Sequence, residues 1–196
     1  MNLRIISIER LRFWGVLLLG LLLIPLSSEA VLSADIKRLR VKAFLDMIAW
    51  GETGRIDRKG YHTLVFKGKF RNFSKHPKIK RCAPINRRIV CSTAAGRYQV
   101  LDFIWDRLKY KLRLKDFSPV SQDKIALHLI IQKGALADVK AGRFEKAVCK
   151  VGSVWTSMPC GNNYRQNPKS MRQLKFIYKY RLVKYVKYYK PSKKKR

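Results

Sequence analysis

Glu52 stands at the end of an apolar helical face, and its surroundings make it the first candidate for acid–base chemistry in this 196-residue chain. In the stretch Lys42–Gly54 (K-A-F-L-D-M-I-A-W-G-E-T-G), Ala43, Phe44, Met47, Ile48 and Trp50 recur at helical spacing, and Gly51 ends the run just before the acid. A carboxyl carried to the end of a buried helix, beside a Trp, loses hydration and keeps its proton to higher pH. That suits it to protonate a leaving oxygen such as a glycosidic one. The plainer alternative is a helix-ending Glu that meets solvent. Asp46, inside the helix, and Asp57, in a basic loop, read as structural acids.

Positioning this acid requires a helix over about Val41–Gly51, with a short polar lead-in at Val31–Arg40. From Thr53 to Arg81 the helical period is lost. Alternation at Tyr61, Thr63 and Val65 predicts a small β-hairpin or irregular sheet turning near Lys67-Gly68-Lys69, and His76-Pro77 predicts a further turn. Cys82–Thr93 reads as a basic loop. Tyr98, Leu101, Phe103, Ile104, Trp105 and Leu108 predict a helix from Ala94 to about Leu114. Ser118 as N-cap and Pro119 in the first turn open another, running through Ile125, Ala126, Leu129 and Ile130 to a stop at Gly134. Asp138–Gly142 reads as a turn and Arg143–Val154 as a helix. The whole is a helix-rich α+β domain with a small β-hairpin lobe.

Composition constrains where such a domain works. With 47% hydrophobic residues the chain can bury a sizeable core, which excludes a disordered protein. Its net charge of +32 points to polyanionic partners. Residues 1–12 carry Arg4, Arg10 and Arg12, and an uncharged apolar run of fourteen residues follows and closes at Leu26. Small residues at Ser28 and Ala30 then predict a cleaved secretory signal over residues 1–30, in preference to a retained N-terminal anchor, because a membrane span wants roughly 20 apolar residues. Cleavage there leaves the mature chain at +31, so the charge belongs to the exported, periplasmic or extracellular domain and argues against a nucleic-acid binder. Cys82, Cys91, Cys149 and Cys160 lack the spacing of a zinc knuckle and have no nearby histidine to complete a metal site. Although four cysteines allow three connectivities, an oxidising compartment favours the short-range pairs 82–91 and 149–160, each worth about 2–3 kcal/mol.

Four separated segments resemble the bacteriophage lambda endolysin-like family of lytic transglycosylases, which have a lysozyme-like fold. They are Lys42–Glu52, Ser92–Leu101 (S-T-A-A-G-R-Y-Q-V-L), Leu114–Ala126 (L-K-D-F-S-P-V-S-Q-D-K-I-A) and Lys133–Leu136 (K-G-A-L). Further matches lie at Phe73–Pro77 and Ser153–Pro159, so the resemblance covers roughly residues 42–170 in order. It implies cleavage of the β-1,4 bond between N-acetylmuramic acid and N-acetylglucosamine in peptidoglycan glycan strands, with a 1,6-anhydromuramoyl end and no cofactor or metal. Glu52 matches the catalytic acid. Tyr98 and Gln99 match the motif beside it and are expected to grip sugar, Tyr98 with its flat face unless it is a core residue. Ser92 and Thr93 are expected to donate to substrate or to cap the following helix, and Tyr164 to line the last cleft loop. His76 is expected to shape a loop, with His62 in a loop and His128 on a helix. The interval from Glu52 to Gly60-Tyr61 is shorter than in the family, and Asn72 and Lys75 replace acids usual there, which predicts a trimmed, more basic upper cleft wall.

These features divide the chain into residues 1–30 as signal, 31–170 as a lysozyme-like catalytic domain, and 171–196 as a basic, tyrosine-rich tail. For the tail the choices are an anionic wall polymer, an anionic membrane surface, or a solvated and partly helical segment. The chain is read as a monomer. A hydrolytic muramidase, or an inactive polyanion-binding module on the same fold, are the competing functions.

Overall fold

Helix α1 (Ser28–Thr53) runs unbroken through 26 residues, about 39 Å at 1.5 Å per residue, and ends at the candidate acid. It is seen in a computed structural model that describes residues 28–85, 87–161 and 168–190, with side chains from residue 33 onward. The apolar run before it lies outside these residues, as does Tyr164. Among the described residues no helix is long and apolar enough to cross a membrane. The predicted lead-in Val31–Arg40 is helical, because Leu39 continues the buried stripe of Ala43, Phe44, Met47 and Ile48 one turn earlier.

The remaining elements surround α1. A short 3-10 turn at Arg58–His62 is capped by Asp57, whose side chain accepts from the Lys59 amide. Strands β1 (Arg81–Ile85) and β2 (Arg88–Ser92) pair antiparallel, with Cys82 opposite Cys91. Helices α2 (Asp102–Lys111), α3 (Pro119–Gln132), α4 (Leu136–Ala141), α5 (Phe144–Val151) and α6 (Met171–Lys187) follow. Phe44, Met47, Ile48, Ile125, Ile130, Val148 and Leu174 meet in one core. The predicted turn near Lys67-Gly68-Lys69 is present, closed by Leu64 donating to Gly68 and bridged between Thr63 and Lys69. Ser118 caps α3 with Pro119 in its first turn, as expected.

Four expectations are corrected. Cys82–Thr93 is the regular hairpin of the molecule and not a loop; its exposed basic residues hide the strand pattern, and the disulfide joins the two strands directly. Residues 94–101 are not helical. Gly96 (φ 79°) and Gln99 (φ 49°) take left-handed backbone, and the segment folds into a tight turn bridged between Ala95 and Val100. Asp138 lies inside α4, which ends at left-handed Gly142.

The fourth correction concerns the tail. Residues 171–187 form α6, which lies along α1 with Leu174 fully buried and Tyr178 nearly so. The Ser170 capping box starts this helix, which is part of the domain rather than an appendage after residue 170.

Candidate active site

Glu52 sits in the last turn of α1, where the loop following α5 closes over it. Ser157 in that loop donates its hydroxyl to Glu52 Oε1 at 2.5 Å, and its backbone N–H also reaches the carboxyl. The loop is fixed from several sides. Met158 is fully buried, Trp155 Nε1 donates to the Tyr98 carbonyl at 3.1 Å, the Lys169 amide donates to the Ser157 carbonyl at 2.9 Å, and the Cys149–Cys160 disulfide ties its far end to α5. Gly51 allows this approach: a Cβ there would stand 2.6 Å from Met158 Cε and 2.8 Å from Ser157 Oγ.

Burial pushes the Glu52 carboxyl up to about 7, against the two Ser157 hydrogen bonds that pull it down. The nearby cations do not undo this. Arg55 forms a two-pronged pair with Asp57 at 3.0 and 2.6 Å, facing its own loop. Arg97, nearly buried, pairs with Asp46 and donates to the carbonyls of Ile56 and Asp57, so it clamps the segments on both sides of Glu52. Asp46 also accepts from Arg181 and Tyr185 of α6, at 2.6 and 2.5 Å. Both Arg55 and Arg97 are thus paired with an aspartate and not with Glu52.

A cleft of about 590 Å³ begins at Thr53, the residue after Glu52, and is lined by Arg55, Lys59, His62, Lys67, Lys69 and Phe70 among others. Its wall contains no acid, in keeping with the expected basic upper lobe.

The model of the Endolysin family matches residues 42–184. The chain belongs to the endolysin family. It is 38% identical over 150 residues to the endolysin of Escherichia phage P2, covering 71% of this chain and 90% of that protein. It is 41% identical over 130 residues to the endolysin of Escherichia phage lambda, covering 64% and 80%. A solved structure of bacteriophage lambda lysozyme complexed with a chitohexasaccharide superposes with TM-score 0.66 at 36% identity, covering 73% of this chain and 94% of that one. A second lambda lysozyme structure gives TM-score 0.59 at 32% identity, covering 76% and 93%. The enzyme is therefore a peptidoglycan-cleaving glycosidase with the lysozyme-like α+β fold.

Within this endolysin fold the expected site residues separate into distinct roles. Tyr98 is 2% exposed and presents no face to a sugar; its hydroxyl donates to Asp123 at 2.7 Å, and the core alternative describes it. Gln99 turns its amide back on its own loop, donating to the Gly96 carbonyl at 2.9 Å, which removes that donor from the cleft. Thr93 donates to Asp102 and accepts from the Asp102 amide, tying β2 to the first residue of α2. Ser92 accepts from the Ala94 amide, a bond that shapes the same turn. His76 is fully buried and neutral: Nε2 donates to the Val100 carbonyl while Nδ1 accepts from the Lys78 amide. Both predicted disulfides, Cys82–Cys91 and Cys149–Cys160, are formed. Among the described residues no three His, Cys, Asp or Glu gather as a metal-holding group.

Sequence reasoning missed Ser157 and Gln122. Ser157 lay within a matched segment, but nothing local marks it as a partner of Glu52. Gln122 is fully buried, accepts from the Arg97 amide at 2.8 Å and donates to the Phe117 and Tyr61 carbonyls. It presses so closely on Gly96 that a Cβ there would fall 2.2 Å from its Oε1, which accounts for glycine in A-G-R-Y-Q.

Proposed function

We infer that this endolysin is a lytic transglycosylase that cuts the MurNAc-β-1,4-GlcNAc bond with Glu52 as acid and then base. Glu52 gives its proton to the glycosidic oxygen as the bond to C1 breaks. The muramoyl C6 hydroxyl attacks C1 and returns a proton to the Glu52 carboxylate, which closes the 1,6-anhydro ring. Because the nucleophile is part of the substrate, it arrives with its own effective concentration, and no second carboxylate is required to activate water.

The observation that carries this reading is that, among the described residues, Glu52 has no free carboxylate beside it to share the work. Of the twelve acids, Glu9 and Glu29 lie outside the residues with described side chains. The nine others besides Glu52 are engaged with cations, hydroxyls or backbone amides. Asp57, Asp102, Asp106, Asp116, Asp138 and Glu145 are pushed below the ordinary carboxyl range, while burial pushes Glu52 up. Glycan strands as the substrate find support in the chitohexasaccharide held by lambda lysozyme. Export from the cytosol finds support in the two disulfides, which persist in oxidising compartments.

The test is digestion of purified peptidoglycan followed by mass spectrometry, with Glu52→Gln in parallel. Anhydromuropeptides from the parent and a loss of about 10²–10⁴-fold in the variant are expected. Reducing muramic ends would make the enzyme a hydrolase. Binding without turnover would leave only a polyanion-binding module.

A further inference from the structure

Helix α6 has two faces, and only one belongs to the core. Leu174, Tyr178, Arg181 and Tyr185 turn toward α1. On the opposite side Phe176, Tyr180 and Val183 follow one another at helical spacing and are 68, 51 and 66% exposed. Single exposed apolar residues are ordinary on any protein. Here, five of the eleven large exposed hydrophobics among the described residues fall between Phe176 and Tyr188. Arg172, Lys179, Lys184 and Lys187 flank the stripe, and no acid occurs from Met171 to Arg196.

We propose that the outer face of α6 docks on an anionic lipid surface. An apolar stripe bordered by cations is what the interface of such a bilayer accommodates: the rings and the valine enter at headgroup depth while the lysine heads stay with lipid phosphates. An anionic wall polymer offers partners to the lysines but none to Phe176 and Val183. The placement of α6 agrees with a membrane. It runs antiparallel to α1, with Arg181 on Asp46 and the Arg38 guanidinium 5.9 Å from the Tyr189 ring, so Lys187 and Lys190 stand along the N-terminal half of α1. Arg38, Lys42, Lys190 and three tyrosines also line a hollow of about 520 Å³ between the two helices at this end, which supplies further donors for a phosphate.

The experiment places a reporter on the stripe of the full chain. Phe176→Trp, at an exposed position, is compared with the parent on vesicles of phosphatidylcholine with and without phosphatidylglycerol, with brominated acyl chains as quencher; circular dichroism of the variant checks its fold. The added indole is expected to shift to shorter wavelength and lose at least half its emission on the anionic vesicles. That quenching is expected to vanish in Lys184→Gln/Lys187→Gln, and at about 1 M salt, where charges are screened beyond ~3 Å. Equal quenching on neutral vesicles would overturn the proposal, as would an unquenched indole on vesicle-bound protein. A response to soluble polyphosphate with none to vesicles would also overturn it and assign the face to a wall polymer.

Discussion

The hydroxyl of Ser157 donates to Oε1 of Glu52 at 2.5 Å across 105 residues of sequence. One bond thereby fixes the orientation of the acid and holds its proton affinity below what burial alone would set. The Ser157→Ala enzyme is expected to show its alkaline limb displaced upward in pH, with a lower kcat because the carboxyl is no longer held in one rotamer. A pH–rate profile measures both; an unmoved limb would remove Ser157 from the tuning of Glu52.

With Glu52 raised to about 7, the protonated enzyme prevails below that pH, and kcat/KM is expected to fall about tenfold per pH unit above it. An alkaline limb near 4.5 would show that Glu52 is not desolvated in solution.

The same proton links activity to stability. Between the ordinary glutamate value of 4.5 and about 7 the folded state binds more proton than the unfolded state, so Glu52 lowers stability as pH rises through this window. Glu52→Gln is expected to raise the melting temperature at pH 8, by the equivalent of at most about 3 kcal/mol, and to leave it unchanged near pH 4. Thermal unfolding at the two pH values measures the difference.

Gly51→Ala is expected to cost about 1–3 kcal/mol and most of the activity, because the new methyl collides with Met158 and Ser157. Denaturant unfolding and the digestion assay report the two effects. Retained activity would mean that the Ser157 loop moves aside without loss.

Asp46 joins α1, the 96–99 turn and α6 through Arg97, Arg181 and Tyr185. Removing one member of a buried ionic cluster leaves its partners uncompensated, so Asp46→Asn is expected to cost about 3–5 kcal/mol. Truncation after Ser170, which deletes buried Leu174 as well, is expected to leave the domain unfolded by circular dichroism.

Elements with local signals were legible in the sequence. Helix α3 begins at its Ser118-Pro119 signature and the chain turns at left-handed Gly134, and α1 shows its apolar stripe up to Glu52. The 96–99 turn was not legible, because Tyr98 and Leu101 fall by chance in helical register with α2 while the backbone reverses at Gly96 and Gln99. α6 was hidden by its charge: its buried stripe is narrow, and the Asp46 that receives Arg181 is 135 residues away in sequence. Ser157 was invisible for the same reason, since its role exists only once α5 and its loop have closed on the end of α1.

The pairing of α1 with α6 also orders events during synthesis. Arg181 of α6 follows Asp46 of α1 by 135 residues, so a chain made only as far as α5 lacks the groups that satisfy Asp46 and cover Phe44, and carries a bare carboxylate where its core should be. Cutting is therefore expected only from chains in which α6 has closed on α1.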